Sequence, residues 1–175
     1  TVTTMVKRLA AEKLVRYERY AGIQLTPKGR AIALGVVRRH RLIETFLVRV
    51  LGLDWSEVHD EAERLEHAIS DKLLDKIDTH LGRPAIDPHG DPIPAADGSV
   101  RSCEAGRTLG RCDAGCGFRL TRVLDQSPEF LRYLTEAGLL LGVEGRVVSN
   151  RTEAGAVTIE VAGQQTTLGR EAADK

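Results

Sequence analysis

Residues 54–70, DWSEVHDEAERLEHAIS, constrain the fold more than any other stretch of the chain. At about 100° per residue, His59, Glu63, Glu66 and His67 share one helix face, within an arc of about 100°. Two imidazoles and two carboxylates on one face are the donors a divalent ion takes. A solvated face carrying Asp60, Glu61 and Arg64 would be equally soluble, so this face alone does not decide the matter. A second set tips it. His40 and Glu44 stand one turn apart in the preceding helical stretch. Two antiparallel helices, each with His and Glu on one face, can close around ions between them.

The capping signals fit such a pair. Thr26-Pro27 is a helix start, with a hydroxyl cap and Pro in the first turn. That helix is predicted to run to about Leu51 and stop at Gly52, with Ile43, Phe46, Leu47, Val50 and Leu51 as an apolar stripe near its end. Asp54 is expected to cap the next helix, with Glu57 completing a capping box. Ser70-Asp71 is a further cap, and the helix it opens should reach His80 and end near Gly82.

Charge separates the two ends of this region. The net charge is zero, but residues 1–41 hold ten Lys and Arg against two acidic residues, and residues 42–82 four against ten. A basic end beside an acidic, His-bearing segment suggests polyanion binding next to cation binding. In the basic end, Val2, Met5, Val6 and Leu9 recur at helical spacing, and Thr1, Thr3, Thr4, Lys7 and Arg8 occupy the other side. The stretch LVRYERYAGIQL then turns at Ala21-Gly22 as a β-hairpin, with Arg16 and Arg19 on its arms. A helix followed by a basic hairpin is the second half of a winged helix-turn-helix, whose helix reads base edges and whose wing touches phosphates. The opening TVTTMVKRLA reads as the interior of a helix and has no initiator Met. Residues before Thr1 are therefore expected.

Residues 83–103 hold four of the six prolines and no periodicity, as a linker and domain boundary would. Beyond them FRLTRVL is a predicted strand, Ser127-Pro128 opens a short helix that Gly138 ends, and GRVVS, AVTIEV and QQTTL are strands between Gly turns. Short strands with one short helix suggest a small, partly open barrel. Cys103, Cys112 and Cys116 fit a reducing cytoplasm, and Cys112 and Cys116 lack a fourth partner at zinc-ribbon spacing, so they read as ordinary thiols. No apolar run reaches membrane-spanning length, and no nucleophile motif or phosphate loop occurs.

Taken together, these stretches resemble the diphtheria-toxin-repressor family of metal-dependent transcriptional regulators. TVTTMVKRLAAEKLV is similar to that family's recognition helix, LTPKGRAIA to the start of its post-wing helix, HRLIE and VHDEAERLEHAIS to its metal-binding helices, and DPHGDPIP to the Pro-rich sequence after them. The resemblance implies a mainly α chain with a small β module. Its parts would be a partial winged helix-turn-helix (1–32), a helical metal-binding and dimerisation domain with its Pro-rich linker (33–100), and a C-terminal Src-homology-3-like barrel of the ferrous-iron transport protein A type (104–175). It implies a cytoplasmic homodimer that binds a palindromic double-stranded operator of metal-uptake genes when a divalent ion is bound, with no catalytic activity and no membrane contact.

Carried over by position, Glu63, Glu66 and His67 match the family's primary site, whose remaining ligand comes from a helix upstream of the recognition helix. His40, Glu44 and His59 match its ancillary site, to which the barrel lends a carboxylate near Glu129. Base and phosphate contacts fall to Thr1, Thr3, Thr4, Arg8, Arg16 and Arg19. Position 63 is Glu, where the iron-responsive branch has Cys, so the chain resembles the manganese branch, with Mn(II) as activator and Fe(II) as the alternative. Two rival classes are weighed. A helical di-metal carboxylate enzyme needs Glu-x-x-His pairs, but Arg64 precedes His67 and Ser56 precedes His59 at that spacing. A metal-independent winged-helix DNA binder would carry the His and Glu residues only as a polar face.

Overall fold

The computed structural model describes residues 2–18, 22–101 and 106–175, so Thr1, Arg19 and Cys103 lie outside the described residues. The first helix, α1 (Val2–Ala11), ends where Lys13 turns to φ 59°. A hairpin follows, β1 (Val15–Glu18) against β2 (Gly22–Leu25), in antiparallel register from Val15–Leu25 to Glu18–Gly22. The apolar spacing of α1 produces a helix but not a buried stripe: Val6 is covered, whereas Val2 and Met5 are exposed.

The long helix α2 (Pro27–Arg49) starts as its caps predict, with Thr26 Oγ1 accepting the Gly29 N–H at 3.0 Å. The same hydroxyl donates to the Lys13 carbonyl at 2.7 Å, so the start of α2 is tied to the end of α1. Only glycine fits at 29, since a Cβ there would stand 1.9 Å from the Leu14 carbonyl oxygen. Helices α3 (Val58–Glu66) and α4 (Asp71–His80) pack on α2 around Leu42, Ile43, Leu47, Val58, Ala62, Leu74 and Ile93. Ser70 caps α4 through the Leu73 N–H, as predicted.

The predicted capping box at Asp54 does not form. Asp54 Oδ1 accepts the Ser56 N–H instead, residues 55–57 make a turn, and α3 begins at Val58. The competing demand is Trp55, which leaves the helical body and packs among core residues of the C-terminal module. Burying an aromatic ring outweighs one capping bond worth about 1 kcal/mol.

The Pro-rich stretch is not a solvated linker. It is a strap fastened to α2 by arginines: Arg38 donates to the Pro94 carbonyl at 3.2 Å, and Arg41 to the Pro92 carbonyl at 2.6 Å and to Asp91 at 2.7 Å. Prolines offer carbonyls without N–H groups, so cationic donors on a neighbouring helix satisfy what no ladder can. Asp87, His89, Asp91 and Ile93 are buried by this arrangement.

The C-terminal module is a four-stranded antiparallel sheet, β3 (Gly117–Arg119), β4 (Glu144–Arg151), β5 (Ala156–Val161) and β6 (Gln164–Gly169), in the order β3-β4-β5-β6. Helix α5 (Pro128–Glu136) and the short α6 (Arg170–Ala173) pack with it. Alternation along β5 and β6 turns Val157, Ile159 and Leu168 inward, onto Leu131, Leu134 and Val147. The predicted strand FRLTRVL is shorter than expected, because pairing with β4 ends at Arg119. Beyond Leu120 the chain instead touches the strap, where the Val123 N–H donates to the His89 carbonyl at 2.9 Å and Gln126 donates to Asp91 at 3.2 Å.

Candidate metal centre

His40 and Glu44 project from one face of α2, and α3 brings His59 against them. His40 Nε2 lies 3.0 Å from Glu44 Oε1 and 3.1 Å from His59 Nδ1, and His59 Nδ1 lies 3.4 Å from the same Glu44 oxygen. Adjacent donors on an octahedral ion with bonds of about 2.2 Å stand about 3.1 Å apart, so these separations match the edges of a coordination shell. Glu44 is 2% exposed, whereas the His59 side chain is 54% exposed, so the cluster opens to solvent on the α3 side.

The remaining α3 donors extend the cluster in a line. Glu66 Oε2 takes the other His40 nitrogen at 3.0 Å, Glu63 Oε1 is 3.8 Å from His59 Nε2, and His67 Nε2 is 3.6 Å from Glu66 Oε1. Glu63, Glu66 and His67 are not among the donor sets that gather within 4.8 Å in the described residues. Glu66 is turned inward onto His40, and His67, at the C-terminal cap of α3, faces solvent with its side chain 85% exposed.

A second set shares Glu44. Donor atoms of Glu44, Asp87 and His89 lie within 4.8 Å of one another, and all three residues are buried. Asp87 Oδ1 accepts the backbone N–H groups of His89 and Asp91, at 2.8 and 3.0 Å, which fixes the strap's turn. His89 Nε2 donates to the Trp55 carbonyl at 2.9 Å. Its Nδ1 has no hydrogen-bond partner among the described residues and lies 3.9 Å from Glu44 Oε2. A buried ring nitrogen without a partner is expensive unless something accepts its lone pair.

The electrostatics follow from this crowding. The Glu44 hydrogen bond raises the His40 pKa, against the effect of burial, with help from the Glu44 and Glu66 charges. Burial alone would raise Glu44, but the hydrogen bond and charge of His40, with His89 and His59, hold it below its ordinary value. Burial pushes Asp87 up, backbone hydrogen bonds from Asp91 and His89 opposing it and the Glu44 charge adding to it. An open cavity of about 270 Å³ results, lined by His40, Glu44, His59, Glu63, Glu66 and Asp87 and, from the C-terminal module, Gln126. Glu129 does not line it. Its side chain is 80% exposed and pairs with Arg132 at 3.5 Å in the first turn of α5.

The structure brings together His40, Glu44 and His59 of the sequence-predicted set, and places Asp87 and His89, which the sequence reading did not include, beside the same Glu44. The signal for Asp87 and His89 lies in DPHGDPIP, where donors alternate with turn formers and the prolines by themselves point to a linker. In α1 and β1, Thr3, Thr4 and Arg16 are exposed, and the exposed Arg8 pairs with Glu12 at 3.2 Å.

Two families match by sequence. The profile for the iron dependent repressor, metal binding and dimerisation domain, covers residues 26–95, and that for the FeoA domain covers residues 107–175. The iron-dependent repressor IdeR of Mycobacterium tuberculosis is 34% identical over 181 residues, spanning 94% of this chain and 76% of the relative. The diphtheria toxin repressor of Corynebacterium glutamicum is 32% identical over 162 residues, spanning 86% and 70%. Among solved structures, a manganese-dependent transcriptional repressor in complex with manganese superposes with a TM-score of 0.88 at 44% identity, over 98% of this chain and 80% of that one. ScaR with bound Cd2+ superposes with a TM-score of 0.81 at 36% identity, over 99% and 81%.

Proposed function

The chain belongs to the iron-dependent, diphtheria-toxin-repressor family of metal-dependent transcriptional repressors, and from that premise we propose that it is a Mn(II)-activated, non-catalytic DNA-binding repressor of metal-uptake genes. The observation that carries the metal assignment is the convergence of His40, Glu44 and His59 within 4.8 Å. Nitrogen and carboxylate donors without thiolate suit Mn(II), and Glu63 adds a further oxygen at the cavity edge. Fe(II) is the competing activator, supported by relatives named for iron.

A bound ion would supply positive charge to a cavity whose carboxylates otherwise repel one another. His40 and Glu44 would hold it from α2 and His59 from α3, and Glu63, Glu66 and His67 would complete a neighbouring site with a donor from outside residues 1–175. An ion on His40 Nε2 would leave Nδ1–H donating to Glu66, an outer carboxylate that fixes the tautomer and orientation of the ring. The helical unit at residues 33–100 serves as the metal-binding and dimerisation domain. Val50, Leu51 and Leu73 are exposed on its ends and offer apolar surface to a second copy. Residues 1–32 belong to the DNA-reading head, in which Thr3, Thr4, Arg8 and Arg16, with Thr1 and Arg19, meet a palindromic duplex in the cytoplasm. The head's exposed Val2 and Met5 fit a helix packed there by the rest of that domain. No helix among the described residues is long and apolar enough to cross a membrane.

The test is equilibrium dialysis with Mn(II) and with Fe(II) under anaerobic conditions, beside operator selection from random duplexes with and without chelator. Wild type should take up Mn(II) and select a palindrome only when loaded. His40→Ala should lose both properties. Selection of the same duplex in chelator would support the metal-independent reading instead.

A further inference from the structure

We propose that Trp55 is the positioning residue of the Glu44–Asp87–His89 set, and that occupancy of this set fastens the C-terminal module onto the helical body. The inference rests on the metal-site reading above.

Trp55 has two attachments. Its backbone carbonyl accepts the His89 Nε2–H at 2.9 Å, and its ring stacks on the His89 imidazole with centroids 5.9 Å apart and planes 18° apart. Its indole belongs to the module: the ring lies in the module's core cluster, and Nε1 donates to Thr135 Oγ1 of α5 at 2.9 Å. One residue of the helical body therefore holds the imidazole with its backbone and the β module with its side chain.

The tautomer follows from chemistry. A backbone carbonyl accepts only, so the nitrogen facing it must carry the proton, and in neutral His89 the lone pair sits on Nδ1. That nitrogen is the one without a partner, in a residue 1% exposed, 3.9 Å from Glu44 Oε2. A ligating imidazole held through its other N–H by a carbonyl is the common arrangement in metal sites, and the outer partner fixes both tautomer and ring orientation. Here that partner is Trp55, and its orientation depends on the module being docked.

The joint is short and closed on both sides. Next to the ring, the Val123 N–H donates to the His89 carbonyl at 2.9 Å. One residue pair further, Asp91 collects Arg41 of α2 at 2.7 Å, Arg122 at 2.5 Å and Gln126 at 3.2 Å. An ion drawing His89 Nδ1 toward Glu44 fixes the ring, and through it the Trp55 carbonyl, the strap and residues 122–126. Without the ion, the unpartnered nitrogen works against this packing. Module docking and ion occupancy thus favour each other reciprocally.

The experiment uses the full chain with Mn(II) as the probe, and reads two quantities: ions bound per chain, and hydrogen exchange of the peptide covering residues 120–136. In wild type, Mn(II) should slow that exchange by about tenfold. His59→Ala should bind one ion fewer and keep the slowing. His89→Phe retains an aromatic ring against Trp55, and should bind one ion fewer and lose the slowing. Thr135→Val touches no candidate ligand. It should weaken the His89-dependent ion by about tenfold while leaving the His59-dependent ion unchanged. Wild-type stoichiometry in His89→Phe would remove the site itself. Loss of one ion in His89→Phe without any wild-type slowing, or unaltered binding in Thr135→Val, would leave the site standing and overturn the role of Trp55.

Discussion

Gly90→Ala tests whether the strap and the C-terminal module form one joint. Gly90 adopts φ +89°, and a Cβ there would lie 2.1 Å from the Thr121 carbonyl oxygen and 2.7 Å from the Arg122 Cα. Ordinary contact begins near about 3.5 Å, so the backbones must separate by about 1.4 Å. Neither partner is a flexible side chain, so rotamer change cannot absorb the overlap. The left-handed conformation itself costs an L-residue about 1–2 kcal/mol. The adjoining Val123 N–H to His89 bond, 2.9 Å in length, would be lost at roughly another 1 kcal/mol. Overpacking of backbone on backbone adds about 1 kcal/mol or more. The sum is about 3–4 kcal/mol. Urea unfolding followed by Trp55, the single tryptophan of the chain, reads the loss directly, because the indole sits in the module's core. Mn(II) bound through His89 should weaken in parallel. A midpoint within the error of wild type, with an unchanged slope, would refute the reasoning, since the strap would then accommodate a methyl group the geometry excludes.

Other consequences concern the module, the metal and the head. The Asp125 carboxyl is held at about 2 by the backbone hydrogen bond from Ser127 and by Lys175, below its ordinary 3.8. The stability it contributes is therefore full above the ordinary value and lost as pH falls toward 2. Asp125→Asn should lower module stability at neutral pH and flatten the acid-unfolding curve between these values; a curve parallel to wild type would contradict the assignment. Glu63→Cys should raise the response to softer ions and blunt selectivity for Mn(II), checked by anaerobic titration with Mn(II), Fe(II) and Zn(II); an unchanged ranking sinks the role of Glu63. Arg8→Ala should weaken binding to all duplexes alike and reduce the salt dependence by about one unit of slope, and a changed base preference at constant slope would remove Arg8 from the phosphates.

Periodicity and caps carried the helical half of the fold. Thr26-Pro27 and Ser70-Asp71 open their helices as read, and the helices after Ser70 and Ser127 end near Gly82 and Gly138, which adopt positive φ. Helix geometry places His40 with Glu44 on one face and His59 with Glu63, Glu66 and His67 on another; the grouping of His40, Glu44 and His59 comes from the family resemblance, and the packing of α3 on α2 brings their donors together. What was not legible depends on tertiary competition. Trp55 looks like one apolar residue after a cap, and nothing local says that its ring is buried in a module some 80 residues away in sequence. Once it is, the predicted capping box at Asp54 cannot form. The strap was read as a linker because prolines deny it a ladder. Its order comes instead from Arg38 and Arg41 donating to proline carbonyls, a contact that only the folded α2 face supplies. For the same reason nothing local marks Asp87 and His89, or Gln126, which lines the cavity from the module where Glu129 does not.

Anomalous diffraction from crystals grown with Mn(II) tests most directly whether an ion is held between α2 and α3. Data on both sides of the manganese edge should give a difference peak bounded by His40, Glu44 and His59, with bonds of about 2.2 Å. Ordered, fully occupied crystals with no peak at these residues, and manganese only at surface carboxylates such as Asp71 or Glu129, would contradict an ion held there.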